Sequence, residues 1–299
     1  MAVYSIKDLE KLSGIKAHTI RIWEQRYNIL EPQRTQTNIR YYQDDDLRYL
    51  LNIALLKKNG IKISKIAEMT KREIEEKVAS LSDITSEFGT RLDALTLSMI
   101  EMDESKFDRI VNTNIQQHGF EQTMLEVIYP FLDKLSVLWL TGSISPVQEN
   151  FMSHLIRQKL IVAIDNEPLE VNAGAKTFII YLPEGENQEL SLLFMHYILK
   201  KRGHRVIYLG QDINLGDLQD ACKIRQPDYL FTMITETFTQ EPVQDYIDRL
   251  AEGFPHCHIL LSGYQVVVQN IDTHDNMTIL RSLDHTLEFL EHPQSMASS

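Results

Sequence analysis

The sequence has little of what marks several classes of protein. Among 299 residues there are two cysteines, Cys222 and Cys257, whose spacing fits neither a metal site nor a redox motif. The longest stretch without Asp, Glu, Lys or Arg, residues 253 to 271, is interrupted by proline, histidine, glutamine and asparagine, so it is no membrane span. No cationic and apolar leader opens the chain. We therefore expect plain thiols and a cytoplasmic protein.

The chain also lacks the short motifs that mark catalytic sites. Glycine-rich phosphate loops, the HExxH zinc motif and the nucleophile elbow are all missing. Glu184 and Glu186 form an acidic pair in a loop, and we interpret them as solvated. The sequence thus predicts a protein that is not an enzyme, with no catalytic residues and no metal site.

Basic residues are few and unevenly distributed. The chain has 30 Lys and Arg against 42 Asp and Glu, a net charge of −12 that taken alone argues against nucleic-acid binding. Residues 1–75, however, contain 14 basic and 10 acidic residues, which leaves 16 against 32 in the remainder. The pattern suggests an acidic body with a basic head, and the spacing of residues in the head has to decide its role.

The first 30 residues have the pattern of a helix-turn-helix. Ser5 and Asp8 form a capping signature, and Gly14 predicts the end of a short first helix. A second helix follows, with an apolar stripe formed by Ile15, Ile20, Trp23 and Tyr27. Its other side is polar and basic, with Lys16, His18, Arg21 and Gln25. In a helix-turn-helix the second helix lies in the major groove of DNA.

The next segment predicts a wing and two further helices. Residues 33–42 suit a two-stranded hairpin with basic arms. Three aspartates, 44–46, favour a helix start, and a leucine stripe continues to Gly60. Ser64 is predicted to cap a fourth helix that runs through Ile74.

These residues resemble the MerR family of transcription regulators, over about residues 3 to 75. The matching segments are Tyr4–Ile6, Gly14–Ile15, Thr19–Tyr27, Pro32–Thr35 and Arg40–Tyr42. The Trp-Glu-Gln-Arg-Tyr stretch resembles the light-sensing carotenoid-gene repressor subgroup, whose sensor is a cobalamin-binding module. The resemblance implies contacts to operator DNA from Lys16, His18, Thr19, Arg21, Gln25 and Arg26, with Arg34, Arg40 and Tyr41 or Tyr42 on the backbone. Because a head with an excess of only four basic residues has limited affinity for DNA, we also expect a homodimer or higher oligomer on paired half-sites, with RNA polymerase as a further partner.

The rest of the chain divides into a linker and two further domains. After a winged helix-turn-helix at 1–81 and a linker at 82–90, helical spacing over 91–170 predicts a four-helix bundle. Residues 171–299 alternate short strands with helices and predict a flavodoxin-like α/β domain. We expect five parallel strands, at 177–181, 205–209, 229–233, 258–262 and 278–280.

The resemblance places a cobalamin site at the carboxyl ends of those strands, but the residues differ. Where the family has Glu-x-His-x-x-Gly, this chain has Glu186, Gln188 and Ser191, and a carboxamide is a poor cobalt ligand compared with imidazole. Where it has Trp, nine residues and Glu-His, this chain has Trp139, Glu149 and Asn150. The positions along the nucleotide tail carry Thr232, Thr235, Ser262 and Gly263. His196 and His204 are interpreted as surface or core residues.

The sequence therefore predicts a DNA-binding transcription regulator whose sensor-like domain controls assembly without cobalamin. Two alternatives stay open. One is an adenosylcobalamin-dependent light-sensing repressor with altered cobalt ligation. The other is a corrinoid-dependent enzyme fragment, which would need a substrate domain.

Overall fold

The computed structural model describes residues 3–34, 40–82, 88–140, 144–168, 174–235, 242–269 and 271–291. The chain divides into two compact units, Met1–Ile156 and Arg157–Ser299. Within the described residues, no helix is both long and apolar enough to cross a membrane.

The first unit begins with a small antiparallel sheet surrounded by helices. Its strands, in the order β1-β3-β2, are β1 (Val3–Tyr4), β2 (Gln33–Arg34) and β3 (Arg40–Gln43). Its helices are α1 (Ile6–Ser13), α2 (Ala17–Tyr27), α3 (Asp44–Lys58), α4 (Ile63–Ile66) and α5 (Lys71–Ser82). Pairing of β2 with β3 confirms the two arms of the predicted wing. Residues 35–39 between them lie outside the described residues.

Local hydrogen bonds explain where the first two helices begin and end. The Ser5 hydroxyl accepts from the backbone N–H of Asp8, whose carboxylate accepts from Ser5 N at 2.8 Å, so the predicted capping box is confirmed. Gly14 ends α1 in the left-handed region with φ 71°. The N-cap residue of α2, Lys16, makes no capping hydrogen bond with its side chain. The Glu10 carboxylate of α1 caps the helix instead, by accepting from Ala17 N at 3.1 Å.

The predicted single fourth helix is wrong. Ser64 lies inside the four-residue helix α4, whose N-cap is Lys62. Helix α5 is separate and begins after Thr70, which exchanges hydrogen bonds with Glu73. This Thr-x-x-Glu pair is a further capping box, and the continuous apolar spacing from Ile66 to Ile74 concealed the break between the two helices.

The predicted four-helix bundle is confirmed, with its third rod interrupted by a π-helical turn. The rods are α6 (Phe88–Glu101), α7 (Glu104–His118), then α8 (Phe120–Thr123), the π turn Met124–Ile128 and α9 (Tyr129–Leu140), and finally α10 (Pro146–Asn166). Asp103 caps α7 by accepting from Lys106 N, and Gly119 with φ 81° ends it. Helices reach Ser82 and restart at Phe88, so they enter the predicted linker from both sides. The predicted domain boundaries stay predictions.

The head and the bundle share one unit because α3 packs along α6. At this contact the Asp93 carboxylate of α6, only 7% exposed, lies between two lysines. Lys58 at the end of α3 pairs with one oxygen, and Lys134 of α9 pairs with the other at 3.2 Å. Burial lowers the pKa of Lys134, and the charge of Asp93 opposes that shift. Asp93 thus joins the core helix of the head to two rods of the bundle.

The second unit is the predicted five-stranded parallel sheet covered by helices. Its strands are β4 (Thr177–Pro183), β5 (Arg205–Ile213), β6 (Tyr229–Met233), β7 (His258–Ser262) and β8 (Met277–Ile279). Its helices are α11 (Glu189–Lys201), α12 (Leu215–Ile224), α13 (Val243–Gly253), α14 (Tyr264–Val268) and α15 (Leu283–Glu291). The order β5-β4-β6-β7-β8 is that of flavodoxin, as predicted. Strand β5 is an edge strand, and most of it is half-buried.

Replacing Asp93 should weaken the first unit. In Asp93→Asn the largely buried ammonium of Lys134 loses its counter-charge, and we expect a loss of about 3 kcal/mol in the free energy of unfolding, at the lower end for breaking a buried ion pair. Both tryptophans, Trp23 and Trp139, belong to this unit, so tryptophan fluorescence in a denaturant titration reports on it.

Asp133→Asn is the matched control, because it removes the same charge from an exposed position on α9. It should shift the unfolding midpoint little. Equal midpoints for the two variants would contradict a structural role for the Asp93 pairs.

Candidate functional site

Helix α2 presents a polar face whose side chains point into solvent. Lys16, His18, Arg21, Gln25 and Arg26 are exposed, and Thr19 is half-buried with its hydroxyl 3.3 Å from the His18 ring nitrogen. We call these six residues, together with Ile22, the recognition face. Opposite them, Ile20 and Trp23 are buried in the head. The division confirms the two sides of the helix that the sequence predicted.

Ile22 is a member of this face that sequence reasoning missed. It falls between His18 and Gln25 at helical spacing, and its side chain is 44% exposed. An apolar group at such a position can contact the methyl group of thymine in the major groove. Helical spacing alone could have found it, because the stripe of buried residues leaves Ile22 on the other side.

The recognition face begins with a contact to α1. Lys16 Nζ lies 3.0 Å from Glu10 Oε1, while the other carboxylate oxygen caps α2. The hydrogen bond from Lys16, and then that from Ala17 N, lowers the pKa of Glu10. The pair leaves Lys16 exposed, but DNA would have to compete with Glu10 for its charge.

Glu24 fastens the recognition helix to the wing. Its carboxylate, 7% exposed, accepts a 2.5 Å hydrogen bond from the Tyr42 hydroxyl and lies 3.8 Å from Arg40 Nε. Burial, followed by this hydrogen bond, raises the pKa of Tyr42. The two wing residues come from β3 and Glu24 from α2, so the orientation of one element fixes that of the other. The sequence gives no signal for this pairing across 18 residues.

Tyr42 as a DNA-backbone contact is wrong. Its side chain is fully buried between β3 and α2, because strand alternation turns it inward. Tyr41 points the other way, is half-buried and donates to Gln33 Oε1 at 2.6 Å across the hairpin. Arg34 is exposed, and Arg40 is half-buried beside Glu24. The wing therefore offers Arg34, Tyr41 and part of Arg40.

In the second unit, hydrogen bonds between loops close the carboxyl edge of the sheet. Glu186, interpreted from sequence as solvated, is buried, and its Oε1 accepts from Thr235 N at 2.7 Å. That bond ties the loop after β4 to the loop after β6. The solvated reading was wrong because a loop acid can be buried when it satisfies backbone N–H groups.

The loops after β6 and β7 meet still more closely. Ile234 N donates to Ser262 O at 2.8 Å, and the Ser262 hydroxyl donates to Leu280 O at 3.1 Å. Gly263 has φ 103°, and a Cβ there would lie 2.4 Å from Ile234 O. Only glycine fits this position. The small residues that the resemblance assigns to a nucleotide tail here serve contacts of the protein with itself.

Two tyrosines fill the interior behind this edge. Tyr181 of β4 is fully buried and its hydroxyl lies 2.9 Å from that of Tyr246 on α13. Thr232 of β6 is fully buried in the sheet. Burial, and then Tyr246, raises the pKa of Tyr181, so the Tyr181 hydroxyl keeps its proton. The space between the strands and α13 is protein core.

The residues aligned with the cobalt ligands offer poor donors for that metal. Gln188 is the half-buried N-cap of α11, and it presents a carboxamide where the motif has imidazole. In the first unit, Glu149 is half-buried and Asn150 exposed on α10. Trp139 belongs to α9, and its side chain lies outside the described residues. Of these residues only Gln188 aligns with a cobalt ligand, and its carboxamide is a poorer donor to cobalt than imidazole.

The two thiols are unpaired cysteines. Cys222 and Cys257 are free, and burial raises their pKa values to about 11 and about 12. Over the described ranges no group of three or more His, Cys, Asp or Glu side chains is arranged to hold a metal ion.

Two family profiles match this chain, one over the winged helix-turn-helix and one over the helical bundle. The profile of the "MerR HTH family regulatory protein" family matches residues 4–73, and that of the "B12 binding domain" matches residues 91–163. The chain is a DNA-binding transcription regulator that carries a MerR-type helix-turn-helix over residues 4–73 and a B12-binding-like helical domain over residues 91–163. The second match covers the helical bundle and ends before β4.

Two relatives extend over most of this regulator. The HTH-type transcriptional repressor CarH of Myxococcus xanthus is 25% identical over 258 residues, which cover 84% of this chain and 85% of CarH. The HTH-type transcriptional repressor CarA of the same organism is 23% identical over 280 residues, which cover 93% of this chain and 90% of CarA. Among solved structures, the monomethylamine corrinoid protein of Methanosarcina barkeri aligns at 12% identity and a TM-score of 0.49, over 65% of this chain and 94% of that one.

Gly263→Ala should destabilise the second unit. The change places a side chain in a backbone region reserved for glycine, at a cost of about 1 to 3 kcal/mol, and forces Ile234 to move as well. Thermal unfolding followed by far-ultraviolet circular dichroism should show an earlier transition. Tryptophan emission, which reports only on the first unit, should keep its midpoint.

Gly253→Ala is the control, since a Cβ at that helix end meets Gln219 Nε2 at an ordinary 3.5 Å. It should leave both transitions in place. A Gly263→Ala protein as stable as this control would rule out the close approach of the two loops.

Proposed function

We propose that this regulator reads operator DNA with the recognition face of α2 and holds the DNA backbone with the wing. The observation that carries the proposal is the exposed cationic face of α2, whose orientation to the wing is fixed by Glu24 through Tyr42 and Arg40. A helix needs such a fixed orientation because hydrogen bonds to base edges demand a defined register.

The proposed roles follow from chemistry and exposure. Arg21 lies at the centre of the face and can donate two hydrogen bonds to guanine or bind a phosphate. Gln25 suits adenine, and Ile22 suits the thymine methyl group. Lys16, Arg26, Arg34 and Arg40 supply charge for phosphates. His18, Thr19 and Tyr41 complete the contacting set.

We propose that the working species has at least two heads. The excess of four basic residues in positions 1–75 gives limited affinity for phosphate, and the remainder of the chain is strongly acidic. Two heads on paired half-sites raise the effective affinity without new contacts. A contact with RNA polymerase and a cytoplasmic location stay predictions.

We propose further that the second unit works without cobalamin and that the chain is not an enzyme. Three features support the first statement: the carboxamide of Gln188, the Tyr181–Tyr246 pair in the interior, and the closure at Gly263. The match of residues 91–163 to a B12 binding domain supports the alternative, a repressor that binds adenosylcobalamin with altered ligation. The proposal that the chain is not an enzyme is supported by the two relatives, which are named as transcriptional repressors.

Arg21→Ala should weaken binding to an operator selected from a random duplex pool by the wild-type protein. If Arg21 contacts guanine, affinity for the selected duplex should fall by about 1 to 3 kcal/mol, with relaxed preference at one base pair. If it contacts phosphate, affinity should fall on all duplexes and the salt slope should decrease by about one per head. Fluorescence anisotropy at several salt concentrations measures both.

Arg281→Ala removes the same charge from an exposed position in the second unit and should bind like the wild type. Arg21→Ala binding as tightly as this control, with the same salt slope, would remove α2 from the interface.

Cobalamin should not remain bound after desalting. Protein incubated with adenosylcobalamin in the dark is expected to lose all visible absorbance on the column and to keep one molar mass in the dark and in light. The variant Gln188→His with Ser191→Gly restores the ligand motif but keeps the Tyr181–Tyr246 pair. It should stay colourless too.

A red wild-type protein would establish the alternative. A red double variant beside a colourless wild type would instead show that the missing imidazole, and not the filled interior, prevents binding.

A further inference from the structure

The second unit contains a cavity beside edge strand β5. It is a groove of about 660 Å³ between the last turns of α10, one side of α11 and the first half of edge strand β5. We call it the edge groove, and its main lining residues are Ile161, Leu193, His196, Lys200, Arg205 and Tyr208. The volume falls in the range of about 300 to 1,000 Å³ typical of small-molecule sites.

The edge groove runs along α11 from Glu189 to Lys200 and extends to the amino ends of the neighbouring strands. It is bordered by Thr177, the first residue of β4, and by Arg205, the first residue of β5. The loops that carry Glu186, Thr235 and Gly263 follow the last residues of their strands. A ligand in the groove would therefore use none of the positions assigned to a corrinoid.

One wall of the groove is a pair of stacked rings. His196 of α11 and Tyr208 of β5 have ring centroids 5.5 Å apart and planes inclined by 15°. Burial, followed by the nearby charge of Lys200, lowers the pKa of His196 to about 4, so the imidazole is neutral at pH 7. With Leu193 and the half-buried Val206, the rings give the groove an apolar wall.

The Tyr208 hydroxyl is the polar group that this wall leaves unused. Its oxygen is buried, and no described protein atom forms a hydrogen bond with it. Burial, and then Glu189, raises the pKa of Tyr208 to about 12, so the group keeps its proton and can donate. A buried hydroxyl without an acceptor is unfavourable, and a ligand acceptor would remove that penalty.

The charge around the groove favours an anion. Lys200, Arg205 and Arg225 contribute to the lining, against Asp165 and Glu189. The Glu189 carboxylate is already held by Arg157, whose Nε donates to it at 2.6 Å. Lys200 Nζ donates to Ile164 O at 2.6 Å and keeps its full positive charge in doing so. This cationic excess stands in a region, residues 76–299, with twice as many acidic as basic residues.

We propose that the edge groove binds an organic anion with an aromatic or aliphatic body, such as a carboxylate. The carboxylate accepts a hydrogen bond from the Tyr208 hydroxyl, and the lining cations balance its charge. The body lies along Leu193 and Val206 and covers Ile161, which is otherwise 51% exposed. Shape, a donor without an acceptor and charge complementarity thus select the same chemical class.

The test is calorimetric titration of the full chain with indole-3-acetate and with decanoate, each beside its uncharged primary amide. We expect saturable binding of one molecule per chain for at least one carboxylate, at least tenfold weaker binding of its amide, and an affinity that falls as salt rises. Tyr208→Phe should weaken carboxylate binding about three- to tenfold, the effect of one hydrogen bond. Arg205→Gln should weaken it and reduce its dependence on salt.

Tyr264→Phe and Arg281→Gln are the matched controls, because both residues are exposed elsewhere in the unit. They should bind like the wild type, and circular dichroism checks that every variant is folded. The proposal is overturned if neither carboxylate binds, if the amides bind as well, or if Tyr208→Phe and Arg205→Gln match their controls. None of these measurements involves DNA, so their failure leaves the proposed DNA contacts untouched.

Discussion

The arrangement of the first unit depends on one buried carboxylate. Asp93 of α6 faces Lys58 of α3 and Lys134 of α9, so three helices from two predicted domains converge on a single negative charge. A carboxylate removed from water is tolerated only where cations compensate it, and a buried cation is equally dependent on the acid. The largely buried Lys134 and Asp93 therefore depend on each other, whereas Lys58 is 44% exposed to water. These pairs, together with the packing of α3 along α6, hold the head and the bundle in one compact unit.

Carboxylates paired with donors also fix the arrangement of elements inside the head. Glu24 is nearly buried and lies between the Tyr42 hydroxyl and Arg40, while Glu10 caps α2 and pairs with Lys16. Each of these acids accepts hydrogen bonds from groups inside the head: Glu24 from Tyr42, and Glu10 from Ala17 N and Lys16. The head is therefore not simply a cationic patch added to an acidic protein. Its acidic residues hold the helix and the wing in register, and its basic residues remain on the outside.

The sequence predicted those features that depend on the spacing of residues close together in the chain. The capping box at Ser5, the stop at Gly14 and the five parallel strands arise from neighbours in the chain or from periodic burial. Features that join distant positions escaped it, because spacing does not say which polar side chains meet. Glu24 with Tyr42, Asp93 with its lysines and Tyr181 with Tyr246 are such pairs. Even a correct hairpin did not reveal which of two adjacent tyrosines faces inward, since alternation fixes the period but not its phase.

At the carboxyl edge of the sheet, the described loops are joined by hydrogen bonds of the protein with itself. Parallel strands of this order bring their loops together at one edge, whatever those loops carry. Here Glu186 binds Thr235 N, Ser262 binds Leu280 O, and Gly263 lies against Ile234, so polar groups and small residues at this edge are engaged with each other. A ligand entering there would have to replace protein hydrogen bonds that are already made. The Tyr208 hydroxyl at the edge groove, like the Thr232 hydroxyl within the sheet, is buried with no partner among the described residues, so an acceptor that reaches Tyr208 displaces no protein hydrogen bond of its hydroxyl.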